Sequence, residues 1–324
     1  MRRLALFIVV FVVAGGIWLV SAFNDQTLPA APVTVVIPPG ISVASVAARL
    51  YDAHVIANPL ALRILSKFRG ADRDIGSGRY VFSAHQSLPE VLDTLRKGGA
   101  PLSVRVTIPE GFTAKQIAAR LSASGIADEQ ALDNEFTHAT FDVDGVHVVG
   151  LEGLLFPDTY DFTVGMSPQR IARVLTHEFA AKLPKNASQD AKKLGMTLDQ
   201  ALIVASIVER EARVEHDRPL IASVIYNRLR EKMPLQVDAT VEYALPAYKS
   251  ALSLADLHVD SPYNTYEHQG LPPGPISNPG LPSIMAALHP AKTEYLYYVA
   301  KGDGTHAFAT TLAQHNANVA KYEK

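Results

Sequence analysis

The apolar segment near the start of the chain constrains the fold more than any other feature. Residues 4–23 contain no charged side chain, and two arginines precede them. A helix of about 20 residues rises roughly 30 Å, which is the thickness of the hydrocarbon core of a bilayer. No Lys or Arg follows until Arg49, so the positive-inside rule places residues 1–3 in the cytoplasm and the remainder outside it. The sequence therefore predicts a single transmembrane helix over 4–23.

A cleaved signal peptide is the alternative interpretation of this segment. Val20-Ser21-Ala22 would serve as a cleavage site. The apolar run is longer than the usual hydrophobic region of a signal peptide, and this favours a retained anchor. Under either interpretation the globular part of the chain is exported.

Composition excludes several classes of protein. Lys and Arg total 30 against 32 Asp and Glu, a balance that argues against nucleic acid as a partner. The chain has no cysteine, so it has no disulfide, thiol nucleophile or cysteine-based metal site. Motifs for a zinc hydrolase, a serine hydrolase and a phosphate-binding loop are also absent. We expect neither a metal nor a cofactor, and His289, His306 and His315 are only candidate polar residues of a site.

The rest of the chain divides into a linker, a small module and a larger domain. Residues 24–32 are rich in polar residues, Pro and Ala, which is typical of a tether. Residues 33–103 predict a small α+β module, and residues 104–324 predict a mixed α+β domain. The beginning of the larger domain, near 104–180, repeats the strand, Pro/Gly turn and amphipathic helix of the small module.

One predicted helix carries a carboxyl group on an apolar face. Thr197 and Gln200 form a capping-box pattern, and the apolar run 201–208 follows them. At about 100° per residue, Glu211 shares a face with Ile207. Burial disfavours the charged form of a carboxyl group and raises its pKa, so Glu211 is suited to act as a general acid near neutral pH.

The neighbouring glutamate is interpreted differently. Glu209 falls nearly opposite Glu211 on the helix and lies within reach of Arg213, four residues later. The spacing predicts an ordinary ion pair on the surface. The two glutamates are therefore not expected to share a site.

Long loops rich in Pro, Gly and polar residues follow residue 232. They contain amides, hydroxyls and tyrosines, including Gln236, Tyr263, Asn264 and Tyr266. Amides and hydroxyls bind sugar hydroxyls, and tyrosine rings stack on sugar rings. Loops of this composition favour sugar recognition, although Pro and Gly can equally serve only to shape turns.

Several long motifs together resemble one family, the endolytic murein transglycosylases. In chain order they are LEGLLFPDTY (151–160), ASIVERE (205–211), YNRL (226–229), LQVDATV (235–241), SPYNTY (261–266), GLPPGPISNPG (270–280) and HPAKTEYLYYV (289–299). The resemblance extends over essentially the whole chain, including the anchor and the small module, which is LysM-like in that family. Arg210 replaces a lysine that is common in the family at this position.

The resemblance implies cleavage within nascent peptidoglycan strands. The bond is the β-1,4 link from N-acetylmuramic acid to N-acetylglucosamine, and the product carries a 1,6-anhydro-muramyl end. The family's catalytic glutamate corresponds to Glu211. The C6 hydroxyl of the substrate replaces the second carboxylate of an ordinary glycosidase. We expect the sugar to be held by side chains of the polar loops and of the LEGLLF motif: Gln236, Asp238, Tyr263, Asn264, Tyr266 and Glu152.

The expected partners and location follow from the same resemblance. The substrate is the peptidoglycan glycan strand, and peptidoglycan synthases are candidate partners. The anchor would hold the chain in the inner membrane, with the catalytic domain in the periplasm. Two alternatives stay open at this point. A muramidase would hydrolyse the same bond with Asp238 or Glu152 as second carboxylate, and a non-catalytic anchor would bind glycan and recruit synthesis machinery.

Overall fold

The computed structural model describes residues 13–16, 21, 29–72, 74–143, 146–247, 249 and 251–322. Within these ranges no helix combines the length and the apolar character needed to cross a bilayer. The predicted transmembrane segment lies almost wholly outside them. Helices and two-stranded sheets alternate along the chain, which confirms the mixed α+β class. The chain divides into two compact units, Met1–Val104 with Thr163–Gly165 and Arg105–Phe162 with Met166–Lys324.

The smaller unit is built from a strand pair and three helices around one apolar core. Its elements are β1 (Val33–Ile37), α1 (Val43–Asp52), α2 (Pro59–Phe68), β2 (Gly78–Phe82) and α3 (Leu88–Lys97). The two strands pair antiparallel, with Val33 opposite Phe82. Alternate residues of β2 are buried, so one face of this strand closes the core.

The remaining elements include the predicted catalytic helix. In chain order they are β3 (Ser103–Thr107), α4 (Ala114–Ala123), α5 (Glu129–His138), β4 (Thr140–Val143), β5 (Val146–Val149), β6 (Thr159–Thr163), α6 (Pro168–Lys182), α7 (Ala187–Lys193), α8 (Leu198–Glu211), α9 (Arg218–Arg230), α10 (Asp238–Ala244), α11 (Leu281–Leu288), β7 (Tyr297–Ala300), β8 (His306–Ala309) and α12 (Leu312–Tyr322). Strand β3 pairs with β6, β4 with β5, and β7 with β8.

The predicted repeat is visible in the turns that precede α1 and α4. Gly40 and Gly111 have φ angles of 74° and 75°, a left-handed conformation that glycine adopts without steric cost. Ser42 and Thr113 then cap the two helices with their hydroxyl oxygens. The same local chemistry thus produces the same strand, turn and helix in both places.

Helix α8 lies at the centre of the larger unit. Thr197 caps it, and a capping box with Gln200 is formed as predicted. Every residue from Ala201 to Val208 is buried, so the helix is covered on all sides, not along one stripe. Helix α9 starts at Arg218 and includes Pro219, because proline is tolerated in the first turn of a helix.

Candidate active site

Glu211 is the last residue of α8, and it lines a cavity of about 390 Å³. Ile207 and Val208 in the preceding turn of the helix are fully buried, and Glu211 itself is partly buried. Helix α9, the segment 235–238, the β7–β8 hairpin and α12 supply the other walls of the cavity. The carboxyl group therefore lies where a protein core meets an opening large enough for part of a ligand.

The electrostatic surroundings of Glu211 favour its protonated form. Burial raises the pKa of the carboxyl group to about 7, and the negative charges of Asp238 and Glu242 act in the same direction. The hydrogen bond from Tyr298 and the charge of Arg210 oppose this rise. The C-terminal end of a helix carries partial negative charge, which also disfavours a carboxylate there. Glu211 can thus hold a proton near neutral pH and release it again.

Tyr298 on β7 orients the Glu211 carboxyl group. Its hydroxyl donates a hydrogen bond to Oε2 of Glu211 over 3.0 Å. The rings of Tyr298 and His306 contact each other edge to face, with their centroids 5.4 Å apart. His306 is fixed in turn by Asp217, whose Oδ2 accepts from its backbone N–H at 2.8 Å and lies 2.9 Å from its Nδ1. A chain of contacts thus runs from Asp217 through the hairpin to Glu211.

Arg228 on α9 also lines the cavity. Its guanidinium donates to the carbonyl oxygens of Leu296 at 2.6 Å and Leu235 at 2.8 Å, and it lies over the ring of Tyr297. Burial lowers the pKa of Arg228, and these carbonyl groups compensate for part of the lost hydration. The adjacent Gln236 has a φ of 50°, an uncommon conformation for a residue with a side chain. Strain of this kind persists only where the surroundings hold it in place.

The structure brings together only part of the predicted site. Gln236, Asp238 and Tyr266 line the cavity of Glu211, and the hydroxyl of Tyr266 donates to Asp238 at 2.5 Å. Asn264 is fully buried, and its amide donates to the carbonyl oxygens of Leu257 and Val259. Its observed contacts shape the loop, in place of the sugar contact expected from the sequence.

Glu152 and Tyr263 line a different cavity, of about 480 Å³. Glu152 accepts hydrogen bonds from Ala114 N–H at 3.0 Å, from the Asn278 amide at 2.8 Å and from the Tyr243 hydroxyl at 3.3 Å. Burial raises its pKa to about 7, against the effect of these donors. Tyr263 packs on Tyr243, with ring centroids 4.8 Å apart. Glu152 therefore joins three segments of the larger unit and does not line the cavity that contains Glu211.

The prediction of a surface pair at Glu209 is wrong. The Glu209 side chain is only 6% exposed, and it pairs with Arg218 at 3.4 Å instead of with Arg213. It also accepts a hydrogen bond from the backbone N–H of Gly280 at 3.0 Å. The prediction failed because it assumed that α8 buries one face, whereas α11 and its leading loop cover the opposite face as well. These contacts agree with the expectation that Glu209 and Glu211 do not share a site.

The sequence motifs meet around α8. Ser206 accepts from the backbone N–H of Ile276 at 3.0 Å, and Ser277 donates to the Ser206 carbonyl at 3.1 Å. Asn278 accepts from the backbone N–H of Leu155 at 2.8 Å. These bonds join the LEGLLF, ASIVERE and GLPPGPISNPG segments, and the residues that make them hold the helix in place and do not line the cavity.

Three residues at the site were not predicted from the sequence: Tyr298, Arg228 and Asp217. Tyr298 and Arg228 belong to motifs that carried the family resemblance, but nothing in their local pattern indicates which side chain faces Glu211. The contact between Tyr298 and Glu211 joins residues 87 positions apart. Within the part of the chain that the structure describes, no cluster of three or more His, Asp or Glu side chains is arranged to hold a metal ion.

Comparison with known families agrees with this arrangement. The YceG-like family matches the chain over residues 35–321. The chain belongs to this family. The match covers every residue placed at the candidate active site, so the resemblance inferred from the motifs is confirmed.

Curated relatives and a solved structure support the same assignment. An endolytic murein transglycosylase of Bacillus subtilis is 37% identical over 308 residues, which cover 90% of this chain and 84% of the relative. A protein of the same name from Streptococcus pneumoniae is 31% identical over 90% of this chain and 58% of its own length. A crystal structure of a yceG-like protein from Listeria monocytogenes is 35% identical, with a TM-score of 0.58, over 88% of this chain and 98% of that one.

Proposed function

We propose that this protein is an endolytic murein transglycosylase that cleaves the β-1,4 bond from N-acetylmuramic acid to N-acetylglucosamine. The observation that carries the proposal is Glu211, a carboxyl group with a pKa of about 7 in a cavity, at the position of the family's catalytic glutamate. The names of the Bacillus and Streptococcus relatives support the reaction class. A pKa near neutrality lets one group act first as an acid and then as a base.

The reaction proceeds with one protein carboxyl group. Protonated Glu211 donates its proton to the glycosidic oxygen as the bond to the anomeric carbon breaks. The resulting carboxylate then accepts the proton of the C6 hydroxyl, and that oxygen bonds to the anomeric carbon to form the 1,6-anhydro ring. Atoms balance without water, and Glu211 ends protonated for the next cycle. Holding the C6 hydroxyl close to the anomeric carbon supplies much of the acceleration.

Residues that share the cavity with Glu211 are the proposed sugar contacts. Gln236 offers an amide, and Tyr266 and Asp238 form a hydrogen-bonded pair in the lining of the cavity. Tyr298 is a positioning residue because its hydroxyl holds the carboxyl group of Glu211. We assign a supporting role in the surrounding loops, without sugar contact, to Glu152, Tyr263 and Asn264.

Asp238 supports a second candidate, a muramidase that hydrolyses the same bond. It is a carboxylate in the same cavity, and its charge contributes to the raised pKa of Glu211. In a hydrolase Asp238 would activate water or attack the anomeric carbon. Its hydrogen bond from Tyr266 fits equally well with a role in orienting the sugar.

Mass spectrometry of uncrosslinked glycan strands distinguishes these reactions. We expect internal cleavage with anhydro ends, each lower in mass by one water than a hydrolytic product. Glu211→Gln should abolish it, and Asp238→Asn should slow it without changing the product. Reducing ends that disappear in Asp238→Asn would establish the hydrolase. No cleavage by the wild-type chain would favour the non-catalytic glycan-binding anchor.

We further propose that the chain is anchored in the inner membrane by residues 4–23, with both units in the periplasm. The uncharged run and the arginines before it support this orientation. The order β1, α1, α2, β2 with paired outer strands supports a LysM-like, glycan-binding role for the smaller unit. Peptidoglycan synthases are the proposed neighbours, since they produce the strands to be cut.

A further inference from the structure

Helix α2 of the smaller unit exposes a stripe of large apolar side chains. Leu60, Ile64 and Phe68 are 51%, 37% and 88% exposed. A spacing of four residues places them one above the other on one face of the helix. Single exposed apolar residues need no explanation, but three in a row on one helix face indicate an interaction surface.

Two cations lie beside this stripe on the exposed side of α2. Arg63 and Lys67 are both exposed, and at 100° per residue they fall next to Leu60 on the flank away from Phe68. The helix contains no acidic residue. A basic flank beside an apolar stripe is the arrangement of helices that lie in the surface of an anionic membrane, with the cations at the headgroups.

We propose that this face of α2, defined by Leu60, Arg63, Ile64, Lys67 and Phe68, rests on an anionic phospholipid surface. Charge supports this partner, since residues 29–104 contain eight Lys and Arg against five Asp and Glu, whereas the whole chain has a net charge of −2. A second copy of the chain is a poorer partner. A two-fold contact through this face would bring the same basic flanks together.

The short linker would keep the smaller unit close to the membrane. Residues 24–32 span at most about 30 Å when fully extended, so an anchor at 4–23 would keep β1 within that distance of the bilayer. Tethering raises the local concentration of the face at the membrane, and a weak contact then suffices. The inference rests on the proposed anchor and gives the smaller unit a second contact with the same bilayer.

The absence of cysteine makes a direct test possible. In the full chain, Phe68→Cys provides a single site for a nitroxide spin label. The chain is reconstituted in nanodiscs of phosphatidylcholine alone or with phosphatidylglycerol. The accessibility of the label to oxygen relative to a water-soluble nickel chelate is then measured. Leu254→Cys, on a side chain of the larger unit that is 81% exposed, is the matched control.

We expect the oxygen-to-nickel ratio at position 68 to rise several-fold in the anionic nanodiscs while position 254 stays aqueous. Arg63→Glu with Lys67→Glu should return position 68 to the aqueous ratio, whereas Arg173→Glu with Lys192→Glu in the larger unit should not. An aqueous label at position 68 in anionic nanodiscs overturns the proposal. Shielding that follows protein concentration without lipid also overturns it and indicates a second copy.

The experiment gives a different result if residues 4–23 do not anchor the chain in the membrane. A chain that does not incorporate into nanodiscs of either composition refutes the anchor. The same label measured with added vesicles of phosphatidylglycerol still decides whether the α2 face contacts lipid. Cleavage of glycan strands in solution, which needs neither contact, reports separately on the proposed reaction.

Discussion

Removing the hydroxyl of Tyr298 should shift the pH dependence of cleavage. The hydroxyl donates to Glu211 over 3.0 Å, so it stabilises the charged form and lowers the pKa. Hydrogen bonds to charged groups contribute about 1.5–3 kcal/mol, and one pKa unit corresponds to about 1.4 kcal/mol. A distance of 3.0 Å is long for a bond from a hydroxyl to a carboxylate, which favours the lower end. In Tyr298→Phe we therefore expect the pKa of Glu211 to rise by about one unit.

The assay is kcat/KM for uncrosslinked glycan strands as a function of pH. Cleavage requires protonated Glu211, so activity of the wild-type chain should fall as pH rises through about 7. The falling limb of Tyr298→Phe should lie about one pH unit higher, with a lower plateau because the carboxyl group is less well oriented. Tyr297→Phe is the control, since adjacent side chains of a strand face opposite sides. A falling limb that stays in place or moves to lower pH would refute the assignment of Tyr298.

Two predictions concern stability. Because Glu211 has a pKa of about 7 in the folded chain against 4.5 in the unfolded one, its stabilising contribution is complete below pH 4.5 and is lost as pH rises through 7. Glu211→Gln should therefore gain on the order of 1–3 kcal/mol relative to the wild-type chain between pH 4.5 and pH 8 in urea unfolding, and a pH-independent difference would contradict the cause given for the shift. Glu209→Ala removes the carboxylate that pairs with Arg218, although Arg218 keeps its hydrogen bond to Ser283, and should lower the free energy of unfolding by about 3 kcal/mol. The same change at the exposed Glu231 should not lower it. An unchanged melting temperature for Glu209→Ala would mean that this pair contributes nothing.

Local patterns predicted the position of the central helix and of its acid. The pairing of Thr197 with Gln200 is a contact within one turn, and the face shared by Glu211 and Ile207 follows from helical geometry alone. Both features lie within 15 residues and depend on nothing else in the fold, so the sequence was sufficient for them.

Contacts between distant segments could not be predicted in the same way. Glu209 lies 71 residues from Gly280 and Glu211 lies 87 residues from Tyr298, and no periodicity relates them. Composition predicted polar site residues in the loops after residue 232, and Gln236 and Tyr266 of these loops line the cavity of Glu211. It could not separate Tyr266, which lines the cavity, from Asn264, which bonds its own loop, because both carry the same kind of chemistry.

The contacts at the C-terminal end of α8 constrain the number of residues in that helix. Three consecutive side chains serve three places: Glu209 bonds the backbone of Gly280, Arg210 pairs with Glu242 at 2.8 Å, and Glu211 reaches the cavity. One inserted or deleted residue upstream would turn all three by about 100°. Every one of these contacts would then be reassigned at once. Homologous chains should therefore tolerate substitutions between Thr197 and Glu211 far more readily than a change in their number.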